Sequence, residues 1–178
     1  MTGRLAEAGY QLTGVDLDPF LAAGRLLYDG PWVAERLAAV GDFAERHPGL
    51  VHPITLQILR SGHRFDAVDA FRGLYRLREL RAQTAPAWAA MDVLAVPTVP
   101  TTFTIAEMLA DPIHRNTVLG TYTTFTNLLD LAAIALPAGR TAAGRPHGVT
   151  LLAPAGQDAW LGRLAAALEP VLQAPASR

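Results

Sequence analysis

The 178-residue chain has no cysteine and no lysine, and only two serines, Ser61 and Ser177. Without cysteine there is no disulfide framework, no thiolate metal site and no Cys nucleophile. All 15 basic residues are arginine, so no step that needs a lysine amine as its base can be performed by this chain alone. The histidines include His52, His63 and His147, scattered through the chain, and no H-x-x-x-H or H-E-x-x-H spacing occurs. No metal site is expected. A net charge of -1 removes the electrostatic case for binding nucleic acid or an anionic membrane. No apolar run approaches the roughly 20 residues needed to cross a bilayer. Residues 1–20 lack the basic start and apolar core of a signal peptide. The expectation is a cytoplasmic protein that needs no cofactor. Hydrophobic residues make up 51% of the chain against 17% charged, enough apolar side chains to build a core and to confine disorder to the ends. The length fits one domain, or one piece of a larger one.

What is present is organised around residues 122–154. Two four-residue apolar runs, Ala133–Leu136 and Val149–Leu152, flank a segment holding Pro137, Gly139, Gly144, Pro146 and Gly148. Such runs read as strands buried on both faces, with a turn between them. Upstream, residues 4–8 read as a helix stopped by Gly9, followed by a strand near residues 10–17. Asp18-Pro19 starts a helix over residues 20–28. Asp29-Gly30-Pro31 interrupts it and opens a second helix striped by Val33, Leu37, Val40 and Ala44. A loop at 47–53 and a short helix at 54–60 come next. Asp66 caps a long helix over residues 67–90, in which Val68, Phe71, Leu74 and Tyr75 share a face and Pro86 kinks or ends the helix. Residues 92–99 read as a strand. Thr104 and Glu107 have capping-box spacing ahead of a short helix that ends before Asp111-Pro112. Residues 114–121 read as a loop and 123–131 as a helix. Asp158 caps a last helix that turns Leu161, Leu164, Ala165 and Leu168 inward. Pro170 is expected to end it, with 170–178 a frayed tail. The order is that of an α/β fold with covered strands.

Three segments, Thr126-Asn127-Leu128, Pro137-Ala138-Gly139 and Gly144-Arg145-Pro146-His147-Gly148, fall in the order and spacing that mark the second half of the core in the amidase signature family. The chain resembles that family from Gly9 to Leu172. Residues 26–36, 52–77, 92–112 and 119–131 look like the corresponding segments of allophanate hydrolases. The resemblance implies that residues 1–178 are the C-terminal portion of a single amidase domain, an α/β/α sandwich with a mixed β-sheet. It implies a C–N hydrolase that splits allophanate to ammonia and carbon dioxide in urea degradation, after a biotin-dependent carboxylase, without metal or organic cofactor. The family's substrate-binding Tyr and Arg match Tyr28 and Arg36. An arginine fork can hold a carboxylate, such as that of allophanate, in two parallel hydrogen bonds, and a phenol can donate a further one. Read without the resemblance, Arg36 is a solvated helix charge and Tyr28 the edge of a core.

The family's catalysis resembles a Ser–Ser–Lys arrangement, in which a Lys deprotonates a bridging Ser that activates the nucleophilic Ser. Both serines and the Lys belong to the family's N-terminal half, and nothing here matches them. No catalytic residue is therefore expected in this chain. Ser61 lies in LRSGH, which is not the nucleophile segment, and Asp66 with Asp69 reads as a helix start. The expectation is a substrate-recognising half, inactive alone, whose partners are an N-terminal amidase half, a small amide substrate and further copies of itself. The alternative is a non-catalytic structural or regulatory remnant or subunit derived from an amidase. Either way, each large apolar side chain left uncovered forfeits about 1.5–3 kcal/mol against a typical net stability of about 5–15 kcal/mol. Aggregation or self-association of the isolated chain follows from that comparison.

Overall fold

The Val149–Leu152 run becomes the middle of a three-stranded antiparallel sheet. In the computed structural model, which describes residues 2–141 and 143–173, β1 is Leu94–Pro97, β2 is Leu131–Arg140 and β3 is Pro146–Pro154, in the order β1-β3-β2. Leu152 of β3 pairs with Leu94 on one side and Ala133 on the other. Between β2 and β3 the chain reverses through the Gly139–Gly144 region, as the cluster of turn residues predicts. Gly139 and Gly144 both take positive φ, 91° and 76°, which glycine adopts without a steric penalty.

Alternation along β3 sends its side chains to two different cores. Val149, Leu151 and Ala153 point to a layer made by α1 (Thr2–Glu7) and α9 (Asp158–Gln173), where they meet Leu5, Leu161, Ala165, Leu168 and Leu172. Leu152 points the other way. With Leu94 and Val96 of β1 it packs against α2 (Asp18–Asp29), α5 (Ala67–Ala90) and α8 (Phe125–Leu128), through Phe20, Ala23, Leu77, Leu80 and Phe125. The result is helix layer, sheet, helix layer. Only β3 is buried on both faces; in β2, Ala133 and Ala135 are exposed. Both β1 and β2 are edge strands among the described residues, so each offers a free row of backbone hydrogen-bonding groups.

One polar pair lies inside the sheet. Thr150 is buried, and its hydroxyl is 2.9 Å from the Thr98 hydroxyl. Thr98→Val alone is expected to cost about 1–3 kcal/mol, because it leaves a buried donor unmade. The double variant Thr98→Val/Thr150→Val should cost less than that single change. Urea denaturation of both decides the point.

The second helical layer is drawn together by glycines. A Cβ on Gly24 of α2 would lie 2.5 Å from the Thr124 hydroxyl oxygen, so α2 crosses the start of α8 almost backbone to backbone. A Cβ on Gly73 of α5 would lie 2.5 Å from Cγ of Pro31. α5 thus presses on the corner that follows α2. Its opposite face carries the shared stripe of Val68, Phe71, Leu74 and Tyr75, and all four are exposed.

Beyond the exposed face of β2, where Ala133–Leu136 is not buried on both sides, five further expectations change. Residues 10–17 form no strand, since they pair with none of the three strands, and Tyr10 and Leu12 are exposed. In the stripe of α3 (Trp32–Arg46), Val33 and Ala44 are buried but Val40 is exposed. Residues 114–121 are not a loop. α7 (Pro112–Leu119) occupies most of them, started by Pro112 in its first turn after α6 (Ile105–Ala110). The expected helix at 123–131 is reduced to α8, because Asp130 takes φ 57°, a left-handed conformation that ends a helix and that Asp tolerates. Pro170 does not end α9, which continues to Gln173 with Leu172 fully buried. Burying Leu172 recovers about 1.5–3 kcal/mol, and Val171 adds to it. That offsets the roughly 3 kcal/mol cost of an interior proline. The remainder of the expected frayed tail, 174–178, lies outside the described residues.

Candidate functional site

Tyr28 lies in the last turn of α2 and Arg36 in the second turn of α3. A continuous helix would separate positions 28 and 36 by about 12 Å along its axis. The Gly30-Pro31 corner prevents that. A Cβ on Gly30 would lie 2.6 Å from the Leu26 carbonyl oxygen, so the corner needs glycine for space. Pro31 is then the N-cap of α3, just outside the helix, where no intrahelical bond needs its missing N–H. The fold-back puts the Arg36 guanidinium carbon 4.8 Å above the centre of the Tyr28 ring. Such a stack orients a guanidinium plane while leaving its edge donors free. Among the described residues the side-chain ion pairs are Arg60–Glu45 and Arg76–Glu79. Arg36 therefore carries a half-buried, oriented cation with no acidic partner among those residues.

Support for this corner comes from the chain that follows α3. α4 (Pro53–Arg60) runs into a 3-10 turn, Ser61–Arg64, that packs on α3. Arg60 holds Glu45 of α3 by two bonds of 2.7 and 2.8 Å, and this keeps the Glu45 carboxyl below its ordinary range. Two clefts adjoin Tyr28. The smaller, about 230 Å³, is lined by Arg25 and by Thr117, Thr121 and Thr124. The larger, about 520 Å³, is lined by His52, Gln57, Arg64 and Asn116 among others. Tyr28, Asp29 and Thr117 line both. Arg36 lines neither; it reaches the clefts only through the Tyr28 ring it stacks on.

Most other polar side chains in the sequence motifs and around these clefts have structural partners. The Ser61 hydroxyl donates to the Ile58 carbonyl at 2.7 Å. Asp66 and Asp69 form a reciprocal capping box at the start of α5, as their position predicts. The hydroxyls of Thr121 and Thr123 donate to carbonyls one turn back. Asn127 is exposed, and the Thr126 hydroxyl is buried without a hydrogen-bond partner. Among the described residues no three His, Cys, Asp or Glu side chains gather where they could hold a metal ion. The sequence pattern does not single out Asp29, Arg64, Asn116 or Thr117 as cleft residues. Asp111-Pro112, read only as a stop, is also the start signal that would have placed Asn116 and Thr117 on a helix.

Met108, which lines the larger cleft, lies on α6, whose start is fixed by a second capping box. Thr104 accepts from the Glu107 N–H at 3.2 Å, and the Glu107 carboxylate accepts from the Thr104 N–H at 2.7 Å. That backbone bond, followed by the bond from the Thr104 hydroxyl, holds the Glu107 carboxyl below its usual range. A carboxyl depressed on folding contributes stability above its unfolded pKa and loses it as pH falls through the folded value. Protection of the Glu107 amide, taken relative to its intrinsic exchange rate, is therefore expected to fall selectively in acid, below the ordinary glutamate range, and Glu107→Gln should remove that step.

A three-stranded sheet covered by a helical layer on each side is an α/β architecture. The chain belongs to the Amidase family, whose pattern matches residues 3–161. It is 39% identical over 150 residues to urea amidolyase of Lachancea kluyveri, covering 83% of this chain and 8% of that protein. The structure of Kluyveromyces lactis allophanate hydrolase superposes with a TM-score of 0.90 at 35% identity, over 99% of this chain and 29% of that one. The structure of Kluyveromyces lactis urea amidolyase superposes with the same TM-score of 0.90, again at 35% identity, over 99% of this chain and 11% of that one. The fold is that of the amidase signature sandwich, and the chain spans less than a third of the length of each of these relatives.

Proposed function

We propose that this chain is the substrate-recognising, C-terminal portion of an amide hydrolase of the allophanate hydrolase type. Tyr28 and Arg36 hold the substrate carboxylate in the complete enzyme. The observation that carries this reading is the Arg36 guanidinium stacked 4.8 Å over Tyr28 with no acidic partner among the described residues. An oriented cation that no carboxylate of the protein neutralises is suited to one from a ligand. The similarity to urea amidolyase and allophanate hydrolase supports the choice of allophanate over other amides.

The nucleophile and its base come from an N-terminal half, because this chain has no lysine and its Ser61 hydroxyl is committed to a backbone carbonyl. The purified chain is expected to release no ammonia from allophanate, and to contribute to activity when mixed with a separately produced N-terminal amidase half. Turnover by the chain alone, surviving removal of contaminating amidases, would overturn the proposal. Silence in both experiments would favour a non-catalytic role, with which the open β1 and β2 edges also agree.

A further inference from the structure

We infer that Arg64 is a positioning residue for the Tyr28–Arg36 pair, and that the Ser61–Arg64 turn clamps the two helices that carry it. The inference rests on the carboxylate-binding reading above for its functional meaning, but not for its geometry.

The last turn of any helix leaves carbonyl groups without partners, and the negative end of the helix dipole there favours a cation. α2 ends badly on both counts. Its last turn carries Asp29 and no basic residue. The Leu26 carbonyl is taken by the Gly30 N–H, while that of Tyr28 is met from 36 residues away, where Arg64 Nη2 donates to it at 3.1 Å. Arg64 thus acts at once as the missing helix-end cation and as a donor to the backbone of the substrate-binding tyrosine. Its own guanidinium is set in direction by Phe65, whose ring centre lies 4.7 Å from it.

The same turn fixes the other helix. A Cβ on Gly62 would lie 2.8 Å from the Val33 carbonyl oxygen and 3.0 Å from the Ala34 Cα. The turn therefore rests directly on the backbone of the first turn of α3, one turn before Arg36. One short segment holds the end of α2 through Arg64 and the start of α3 through Gly62. The distance between Tyr28 and Arg36 depends on both grips. The larger cleft includes Tyr28, Val33, Ser61 and Arg64 in its wall, so a loosened clamp opens into that space without meeting resistance.

The test uses the 178-residue chain in dilute solution. Proton NMR reads the ring-current displacement of the Arg36 side-chain signals by Tyr28, with Tyr28→Leu as the reference for its absence. In Arg64→Met, which keeps the aliphatic stem and loses the donors, the displacement is expected to collapse toward that reference. In Arg64→Lys, whose ammonium can reach the same carbonyl, much of it should return. The Leu161 and Leu172 methyl signals, on the far side of the sheet, should stay in place and report that both variants are folded. An unchanged displacement in Arg64→Met, or equal loss in Arg64→Lys, overturns the inference. Gly62→Ala provides a second approach that leaves the arginine untouched, and it should reduce the displacement by moving α3.

Titration of the chain paired with an N-terminal amidase half, using malonamate, in which a CH2 replaces the central NH of allophanate, separates this inference from the functional reading. Affinity is expected to fall roughly fivefold to tenfold in Arg64→Met, the equivalent of one hydrogen bond. A wild-type pair of halves that ignores malonamate, together with a displacement that responds to Arg64, would count against the carboxylate reading and uphold the clamp.

Discussion

Phe125→Ala is expected to cost about 3–5 kcal/mol of folding stability, the range for deleting a fully buried aromatic ring. Phe125 is wholly inaccessible, and its ring meets Phe20 edge-to-face with centres 5.6 Å apart; Phe20 in turn meets Trp88 at 5.8 Å. These three rings tie α8, α2 and α5 together beneath the sheet. The cavity would open against Phe20, on the helix whose last turn carries Tyr28. Denaturant unfolding should show a lower midpoint with an unchanged slope, the signature of lost stability rather than of a changed unfolded state. A loss below about 1.5 kcal/mol would mean that the site collapses far more readily than measured large-to-small core changes allow, and that this layer is loosely packed. The loss exceeds that expected for the Thr98 variant because a ring leaves both a transfer term and a void, whereas the hydroxyl pair forfeits one hydrogen bond.

The second large effect belongs to Arg36. In an enzyme reconstituted from this chain and an N-terminal half, Arg36→Ala is expected to raise KM for allophanate roughly ten- to hundredfold. That corresponds to the about 1.5–3 kcal/mol of hydrogen bonds to a charged group. The carboxylate is present in both ground and transition states, so binding is lost uniformly and kcat should change little. Arg36→Lys should recover only part of the loss, because an ammonium cannot reproduce the planar fork or its stacking on Tyr28. A KM within twofold of the parent for Arg36→Ala would remove the residue from substrate recognition and return it to the role of a surface charge.

The predicted helix starts held where a local rule sufficed. Asp66 and Thr104 cap their helices with side-chain hydrogen bonds to residues three ahead, and such contacts are complete within a few residues of chain. The hairpin of β2 and β3 is local in the same sense. So is the break at Asp29-Gly30-Pro31, where glycine and proline act through their own backbone chemistry. The absence of lysine is a fact of composition that no folding can alter.

Other features depended on groups far apart in sequence. Pro170 carries a local stop signal, yet α9 runs past it because Leu172 has a sheet to pack against. Residues 10–17 alternate like a strand but find no ladder to join. Val68, Phe71, Leu74 and Tyr75 make an apolar stripe indistinguishable by spacing from a buried one, while α5 turns Gly73, Leu77 and Leu80 inward instead. The sequence by itself determined the fold class, the family and the candidate pair, Tyr28 and Arg36. Tertiary structure alone decided that the pair stacks, that no acid among the described residues neutralises it, and that Arg64 reaches back 36 residues to the Tyr28 carbonyl. Periodicity and capping are short-range properties of a chain, whereas the direction of a side chain across a helix corner is set by the packing of elements that meet only after the chain has folded.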